Sequence, residues 1–523
     1  MLIKAIASIL SVVILLTVGG CAPSAGPAEV EEASSPEDQV LTWADGTAIL
    51  TRVPCCEATV DKNTRFILDQ MFDGLVKYEP NSAEITSDLA ESWEVSQNGR
   101  TWTFKLRDDV TFSDGTPLTA EAVEYSIELA LSPESPLLMR IGEIEEIVAV
   151  DEQTVEITTE SPNSALLHGL QDVVGLIQSP NSTAENPIGT GPYVLREWNR
   201  GERVILEQRS DYWGESPSLD RIVYLARPEG TTRVIQLLND EIEIAAKLPP
   251  ESIQDLEATE GVHAETPDSS MLVRISLNTR VSPYDEKTVR QAFNYAVNKE
   301  AILEDILLGA GYVPDAIAGH GVWGTVSFED GYYPYDPERA ESLLQEAGFE
   351  RVDGQWERGG EPLTFRLLVP EGRYMKDRVV GEFVAQQLEE FGVVVELEVS
   401  PWSIAASASR TRLNAGEIDG WLSGFSLPHP EINWANHHHC SNKDRLETGY
   451  CNPEFDALVE EARSTFDEGE QRELYAEAQR MLADEAIVML LYGQSPVWGV
   501  RDSVTGLQWS INEIPIVDQV SIE

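Results

Sequence analysis

The stretch 363–399 constrains the fold more than any other. The apolar run Leu363–Val369 is followed by Asp377–Phe391, with apolar residues at helical spacing, and then by a second apolar run, Val393–Val399. Strand, helix and strand in that order form a β-α-β unit, whose crossover sets two strands side by side in parallel. A parallel pair needs helices over its faces, so the chain is α/β. The same alternation runs elsewhere. Val40–Trp43 predicts a strand, and Asn63–Phe72 a helix broken by Asp73-Gly74. Ser92–Leu106 reads as a hairpin about Asn98-Gly99, with Trp93, Val95, Trp102, Phe104 and Leu106 on one face. Thr119 stands where a helix cap belongs, with Glu121 in the first turn behind it. Strands are expected at 144–150, 153–159 and within 193–208, and helices at Val289–Leu307 and Pro337–Ala347. Phe455–Ala483 predicts one or two amphipathic helices, and no repeat period occurs.

Length and charge narrow the class. A chain of 523 residues is too long for one simple domain. Its 90 Asp and Glu against 37 Lys and Arg give a formal charge of −53. Binding to nucleic acid, or to anionic lipid through a basic patch, needs the opposite balance. The 12 Trp, 15 Tyr and 13 Phe are spread along the chain, which marks a folded body. A charge this negative favours a soluble monomer.

The start of the chain predicts export. Lys4 precedes an apolar run from Ala5 to Val18, too short to span a bilayer comfortably and suited to a signal-peptide core. Val18-Gly19-Gly20-Cys21 resembles a bacterial lipoprotein cleavage box, whose small residues admit the peptidase and whose thiol receives lipid. Residues 1–20 are thus expected to be a signal peptide, Cys21 the lipidation site, and 21–38, rich in Ala, Pro, Ser and Glu, a flexible linker. The protein would work outside the cytoplasmic membrane, in the periplasm or on the outer face, with the lipid as its only membrane contact. Of the other cysteines, Cys440 and Cys451 enclose ten residues and are expected to form a disulfide in that oxidising setting. Cys55 and Cys56 are adjacent; a strained bridge, two thiols or a metal site remain open for them.

Several blocks in order carry a resemblance: QMFDGLVKYEP (70–80), the segment 88–128, PIGTGPYVLREWNRGERVILEQRSDYWG (187–214), VRQAFNYAVNKEAIL (289–303), YYPYDPERAESLLQEAGF (332–349) and CNPEFDALVEEARS (451–464). Together they resemble the extracytoplasmic solute-binding proteins of bacterial ABC transporters, family 5, which includes oligopeptide-, dipeptide- and nickel-binding members. The resemblance implies a bilobal periplasmic-binding-protein-like clamp (type II, cluster C) of three domains, with mixed sheets flanked by helices. Domain I would be discontinuous, at 39–80, 188–271 and 491–523; domain II would span 81–187 and domain III 272–490, with hinges near 270–272 and 488–492. It also implies a binding protein without cofactor. That protein captures a peptide or peptide-sized solute between its lobes and delivers it to a permease powered by a separate ATPase. An oligosaccharide or metal chelate is the alternative ligand, and a secreted hydrolase the alternative class; no HExxH, GxSxG or Walker A pattern supports the latter.

The resemblance points to Gly420–Asn436 as the site. Peptide-binding relatives carry Trp-x-x-Asp there, followed by an acidic residue and Pro, and the Asp holds the ligand's ammonium group. Here Trp421 matches the Trp, Gly424 stands in place of the Asp, and Leu427 precedes Pro428. The ammonium anchor is therefore missing, unless a shifted register gives Asp419 or Glu431 that role. Trp421, Phe425 and Trp434 are candidate stacking platforms for the ligand, with core packing as the alternative. Pro54-Cys55-Cys56-Glu57 replaces a Leu-Asp-Pro turn that faces the cleft in relatives, so Cys55 and Cys56 are expected ligand contacts. His437, His438 and His439 beside Cys440 suit zinc, copper or nickel by type. Three consecutive side chains do not readily converge on one ion, so no metal site is expected.

Overall fold

Leu41 and Trp43 alternate onto one buried face of the strand Val40–Asp45, where Trp43 gathers Phe66, Tyr224 and Trp498 at ring distances of 4.2, 5.4 and 5.5 Å. That strand is at the centre of a seven-stranded sheet in a computed structural model. The structure describes residues 39–523 except 55–61, 81, 132–140, 142, 330 and 443–446 and the side chain of Asn436. The expected signal peptide, linker, Cys21, Cys55 and Cys56 lie outside the described residues.

The sheet order is Val262–Glu265, Val497–Arg501, Ile244–Leu248, Val40–Asp45, Arg221–Ala226, Arg203–Gln208, Tyr193–Asn199. Val40–Asp45 runs parallel to both of its neighbours, and the pairs toward the edges are antiparallel. A four-stranded antiparallel sheet, Ala90–Val95, Thr101–Leu106, Thr154–Thr159, Ile144–Asp151, shares one hydrophobic core with it, from Trp43 and Phe66 to Phe104 and Ile157. Gly99 takes φ +69° in the hairpin turn, which a side chain disfavours. Thr119 caps Ala120–Ala130 through the amide of Ala122. Of the expected hairpin face, Trp102, Phe104 and Leu106 are buried. Val95 is exposed, because it ends the edge strand Ala90–Val95.

The second lobe is built on a six-stranded sheet: Gly311–Tyr312, Val488–Gln494, Leu272–Leu277, Gly420–Phe425, Thr364–Glu371, Val394–Pro401. Thr364–Glu371 and Val394–Pro401 pair in parallel through eight residues, with the helix Asp377–Glu390 between them in the chain. This is the β-α-β unit read from the sequence. Both faces of the sheet are covered. Val273, Ile275, Leu277 and Leu422 pack on Lys287–Ala296 and Asp377–Glu390, while Leu272 and Leu490 pack beneath Pro453–Ser464 and Glu468–Glu485. Each such side chain contributes about 1.5–3 kcal/mol when fully buried, which locks the register of the alternating strands.

Two expectations change. The helix expected at Val289–Leu307 is broken: Lys287–Ala296 ends where Val297 turns extended, and Asn298 then caps a new turn through the amide of Ala301. The chain crosses between the lobes at 266–271 and at Ser495–Pro496. Residues 488–492 lie inside a strand whose Gly493 and Gln494 still pair with Leu272, Gly311 and Tyr312, so no hinge sits there.

Candidate functional site

The lobes touch at several places. Ser164 donates its amide to the carbonyl of Arg463 at 2.9 Å and receives a hydrogen bond from Gln471 Nε2 at 2.6 Å. His168 stacks on His429 with centroids 4.1 Å apart and planes 23° apart. His429 stacks in turn on Trp323 at 5.1 Å, and the Arg472 guanidinium lies 4.2 Å over that indole. Lys376 of the second lobe pairs with Glu251 of the first.

Between these contacts the second lobe presents the end of Gly420–Phe425. Trp421 Nε1 donates to Glu447 at 2.9 Å, Ser423 Oγ donates to the same carboxylate at 2.9 Å, and Ser276 Oγ at 2.5 Å. Arg274 Nη2 stands 3.9 Å from it. The alternation of paired strands creates this arrangement: Arg274 lies opposite Ser423 and Ser276 opposite Trp421, so all four share one face. Trp421 is 2 % exposed and stacks at 20° on Trp402, 6.1 Å away. Tyr374 meets Trp402 edge-on at 5.8 Å, and Arg373 lies 5.4 Å over the same indole. Burial pushes the Tyr374 phenol up to about 12.

The first lobe contributes charge. Asp45 accepts from Asn63 Nδ2 at 2.9 Å and lies 3.3 Å from Lys247 Nζ, which also donates to Asn63 Oδ1 at 2.9 Å. Lys62 pairs with Glu513 at 2.6 Å. Burial holds the Lys62 ammonium below its usual range against the pull of Glu513, and the charges of Lys247 and of Arg373 from the other lobe depress it further.

The sequence-predicted residues fare unevenly. Gly424 has no room for a side chain: a Cβ would come within 2.6 Å of the Tyr374 ring and 3.0 Å of the Met271 sulfur. Asp419 is not the missing anchor, because Arg366 takes both of its oxygens. Nor is Glu431, which accepts from Arg463 and from the Tyr475 hydroxyl. Trp434, 1 % exposed, packs against Tyr475 and Phe455 in the core and offers no platform to a ligand. Trp421 is buried too, so the partly exposed ring of this pair is Trp402. Phe425 lies under the Arg274 guanidinium at 4.5 Å, with His437 edge-on to it at 4.2 Å. His438 is buried, and His439 reaches Ser441 and Glu460, so the three imidazoles point into different surroundings. Among the described residues no three His, Cys, Asp or Glu side chains gather as metal ligands. Cys440 and Cys451 are disulfide-linked, closing the loop that carries Glu447. Sequence reasoning missed Glu447, Trp402 and Arg373; the only signal for Glu447 was an acid inside a disulfide loop just after the expected site.

Two lobes joined by two crossings, with a charged and aromatic wall where they face, define a clamp-type binding protein. The model of the bacterial extracellular solute-binding proteins, family 5 Middle, matches residues 84–444. The chain belongs to that family; it is an extracytoplasmic binding protein and not an enzyme. It is 25 % identical over 471 residues to the dipeptide-binding protein of Escherichia coli (strain K12), covering 83 % of this chain and 86 % of that one. It is 28 % identical to a glutathione-binding protein of Pectobacterium atrosepticum over 85 % and 87 % of the two chains. The nickel-binding periplasmic protein of Escherichia coli is 27 % identical over 88 % and 90 %. Among solved structures, NikA from Brucella suis in complex with Fe(III)-EDTA superposes with a TM-score of 0.79 at 23 % identity, covering 93 % of this chain and 100 % of that one. Among the described residues no helix is long and apolar enough to cross a membrane.

Proposed function

We propose that this protein is the solute-binding component of an ABC importer, tethered by a lipid on Cys21, and that it works as a monomer delivering its ligand to a permease driven by a separate ATPase. Its three domains are proposed at 39–80 with 188–271 and 496–523, at 81–187, and at 272–495, the last boundary falling after the second-lobe strand Val488–Gln494 and not at the expected 490. The ligand is proposed to be a peptide-sized solute that carries a carboxylate and lacks a free ammonium group. The family supports the transport role, and relatives named for dipeptides and glutathione support the size.

One observation carries the ligand class. On a chain of charge −53, Lys62, Lys247 and Arg373 are drawn together from both lobes. Asp45 and Glu513 offset the two lysines, and Arg373 has no carboxylate partner among the described residues. Three such cations favour an anionic group between them. At the other end the described carboxylate, Glu447, already accepts from three side chains and is not free for an ammonium. Trp402, Phe425 and the Gly424 backbone complete the second-lobe wall, and Cys55 and Cys56 are proposed as further ligand contacts.

Native mass spectrometry of freshly purified protein identifies any retained solute. Calorimetry then compares free dipeptides with their N-acetylated forms. The acetylated forms are expected to bind roughly ten- to a hundredfold tighter, the worth of an unmet charge-assisted hydrogen bond. Arg373→Met is expected to weaken the tighter ligand about tenfold. Equal affinity for free and acetylated dipeptides would overturn the ligand class while leaving the transport role intact.

A further inference from the structure

A second feature of the same lobe lies behind the Trp421 wall. A cavity with about 10 Å³ of free volume is lined by Arg274, Trp434 and His438, and otherwise by apolar side chains such as Ile317, Leu482 and Val488. The three polar residues are 5 %, 1 % and 4 % exposed. Arg274 Nε, Trp434 Nε1 and His438 Nδ1 are buried without a hydrogen-bond partner among the described residues. Buried nitrogens of this kind are expensive to leave unmet.

The chemistry of the three is one-sided. An arginine Nε and an indole Nε1 only donate, and a neutral imidazole in its Nδ1–H tautomer supplies a third N–H. Burial, helped by the charge of Arg274, keeps the His438 imidazole neutral. The other described lining residues are apolar and offer no side-chain acceptor. Arg274 is also short of countercharge. Its nearest carboxylate among the described residues, Glu447, is 3.9 Å away and already accepts from Trp421, Ser423 and Ser276. Its guanidinium otherwise faces the Phe425 ring at 4.5 Å.

We propose that this cavity is a binding site for a single monatomic anion of halide size, chloride in the protein's surroundings, held by the three N–H groups of Arg274, Trp434 and His438. A water molecule accepts two hydrogen bonds and brings no charge, whereas a halide accepts three and neutralises Arg274. The volume is close to the about 10–15 Å³ that one water-sized sphere needs, so a carboxylate, sulfate or phosphate does not fit, and a halide, a little larger than water, fits once the lining side chains give by a few tenths of an ångström. The site shares Arg274 with the second-lobe wall, while its other two donors, Trp434 and His438, stand outside the proposed solute site.

The test uses the full exported protein, purified in sodium gluconate. Chloride or bromide replaces gluconate at constant ionic strength while the unfolding temperature is followed. A saturable rise of about 1–3 °C is expected with either halide, and none with sulfate. Arg274→Gln and Trp434→Phe are each expected to abolish the rise. Crystals of the wild-type protein soaked in sodium bromide supply a readout that needs no variant: an anomalous peak is expected between the three nitrogens. No halide-specific shift in the wild type, or bromide-soaked crystals with no peak at that position, would overturn the proposal and leave water as the occupant.

Discussion

Replacing Glu447 with Gln preserves shape and removes charge, and so measures what holds the second-lobe wall together. The native carboxylate accepts from Trp421 Nε1 and Ser423 Oγ at 2.9 Å each and from Ser276 Oγ at 2.5 Å, with Arg274 Nη2 at 3.9 Å. A glutamine offers one acceptor oxygen, so at least one donor comes to face an NH2 group. An unmet buried donor costs about 1–3 kcal/mol. Removing one partner of a fully buried ion pair costs about 3–5 kcal/mol. The Glu447 side chain is 26 % exposed and the pair is long, which reduces that part to about 1 kcal/mol. The expected total is about 2–4 kcal/mol. At roughly 2.1 cal/mol/K per residue, the ~220 residues of the second lobe unfold with an entropy of about 0.46 kcal/mol/K, so its midpoint falls by about 4–9 °C if it melts as a unit. Scanning calorimetry measures the shift. A cycle with Arg274→Met is expected to show a coupling of about 1 kcal/mol, because removing both charges leaves neither one unpaired. A glutamine variant melting within 1 °C of the wild type, with additive effects in the cycle, would refute this account and make Glu447 a solvated surface group.

Acid is expected to destabilise the contact between the lobes. Burial lowers the His168 imidazole from 6.5 to about 4 and holds His429 well below its usual range. The unfolded chain therefore binds protons first. Stability is full above pH ~6.5, is lost as the pH falls toward about 4, and falls no further from His168 below that. The ceiling from His168 is about 3.4 kcal/mol at 1.36 kcal/mol per pH unit, and urea midpoints from pH 7.5 to 4.5 should fall less steeply in His168→Phe. Parallel slopes would contradict the assignment. Gly424→Ala is expected to cost about 1–3 kcal/mol through its clash with Tyr374, and Tyr374→Leu in the same chain should recover most of it; an unchanged melting temperature would count against the packing. Cys440→Ser with Cys451→Ser is expected to lose about 3 kcal/mol from a loop of this length, read as a drop in urea midpoint. Cys21→Ser is expected to move the exported protein from the membrane to the soluble fraction, and a variant still in the membrane fraction would end the tether proposal.

What could be read along the chain was local. The β-α-β unit at 363–399 declared itself through strand and helix periods within one short span. The hairpin followed from Asn98-Gly99, and the Thr119 cap from a residue type that satisfies its own helix end. The ordered family blocks identified the clamp, because each motif is contiguous. Periodicity reports that a residue has a buried face but not what covers it. Trp421 and Trp434 therefore read alike as platforms or core until Glu447 took the Trp421 indole and Tyr475 packed on Trp434. The site was decided by long-range packing. Glu447 reaches Trp421 across 26 residues of chain, Arg373 and Trp402 arrive from separate segments, and His168 meets His429 from the other lobe. The seven-stranded sheet sets Val497–Arg501 between Ile244–Leu248 and Val262–Glu265. No local pattern encodes such a neighbour, because strand pairing is chosen by the burial of whole faces against each other, and that free energy exists only once distant segments have met.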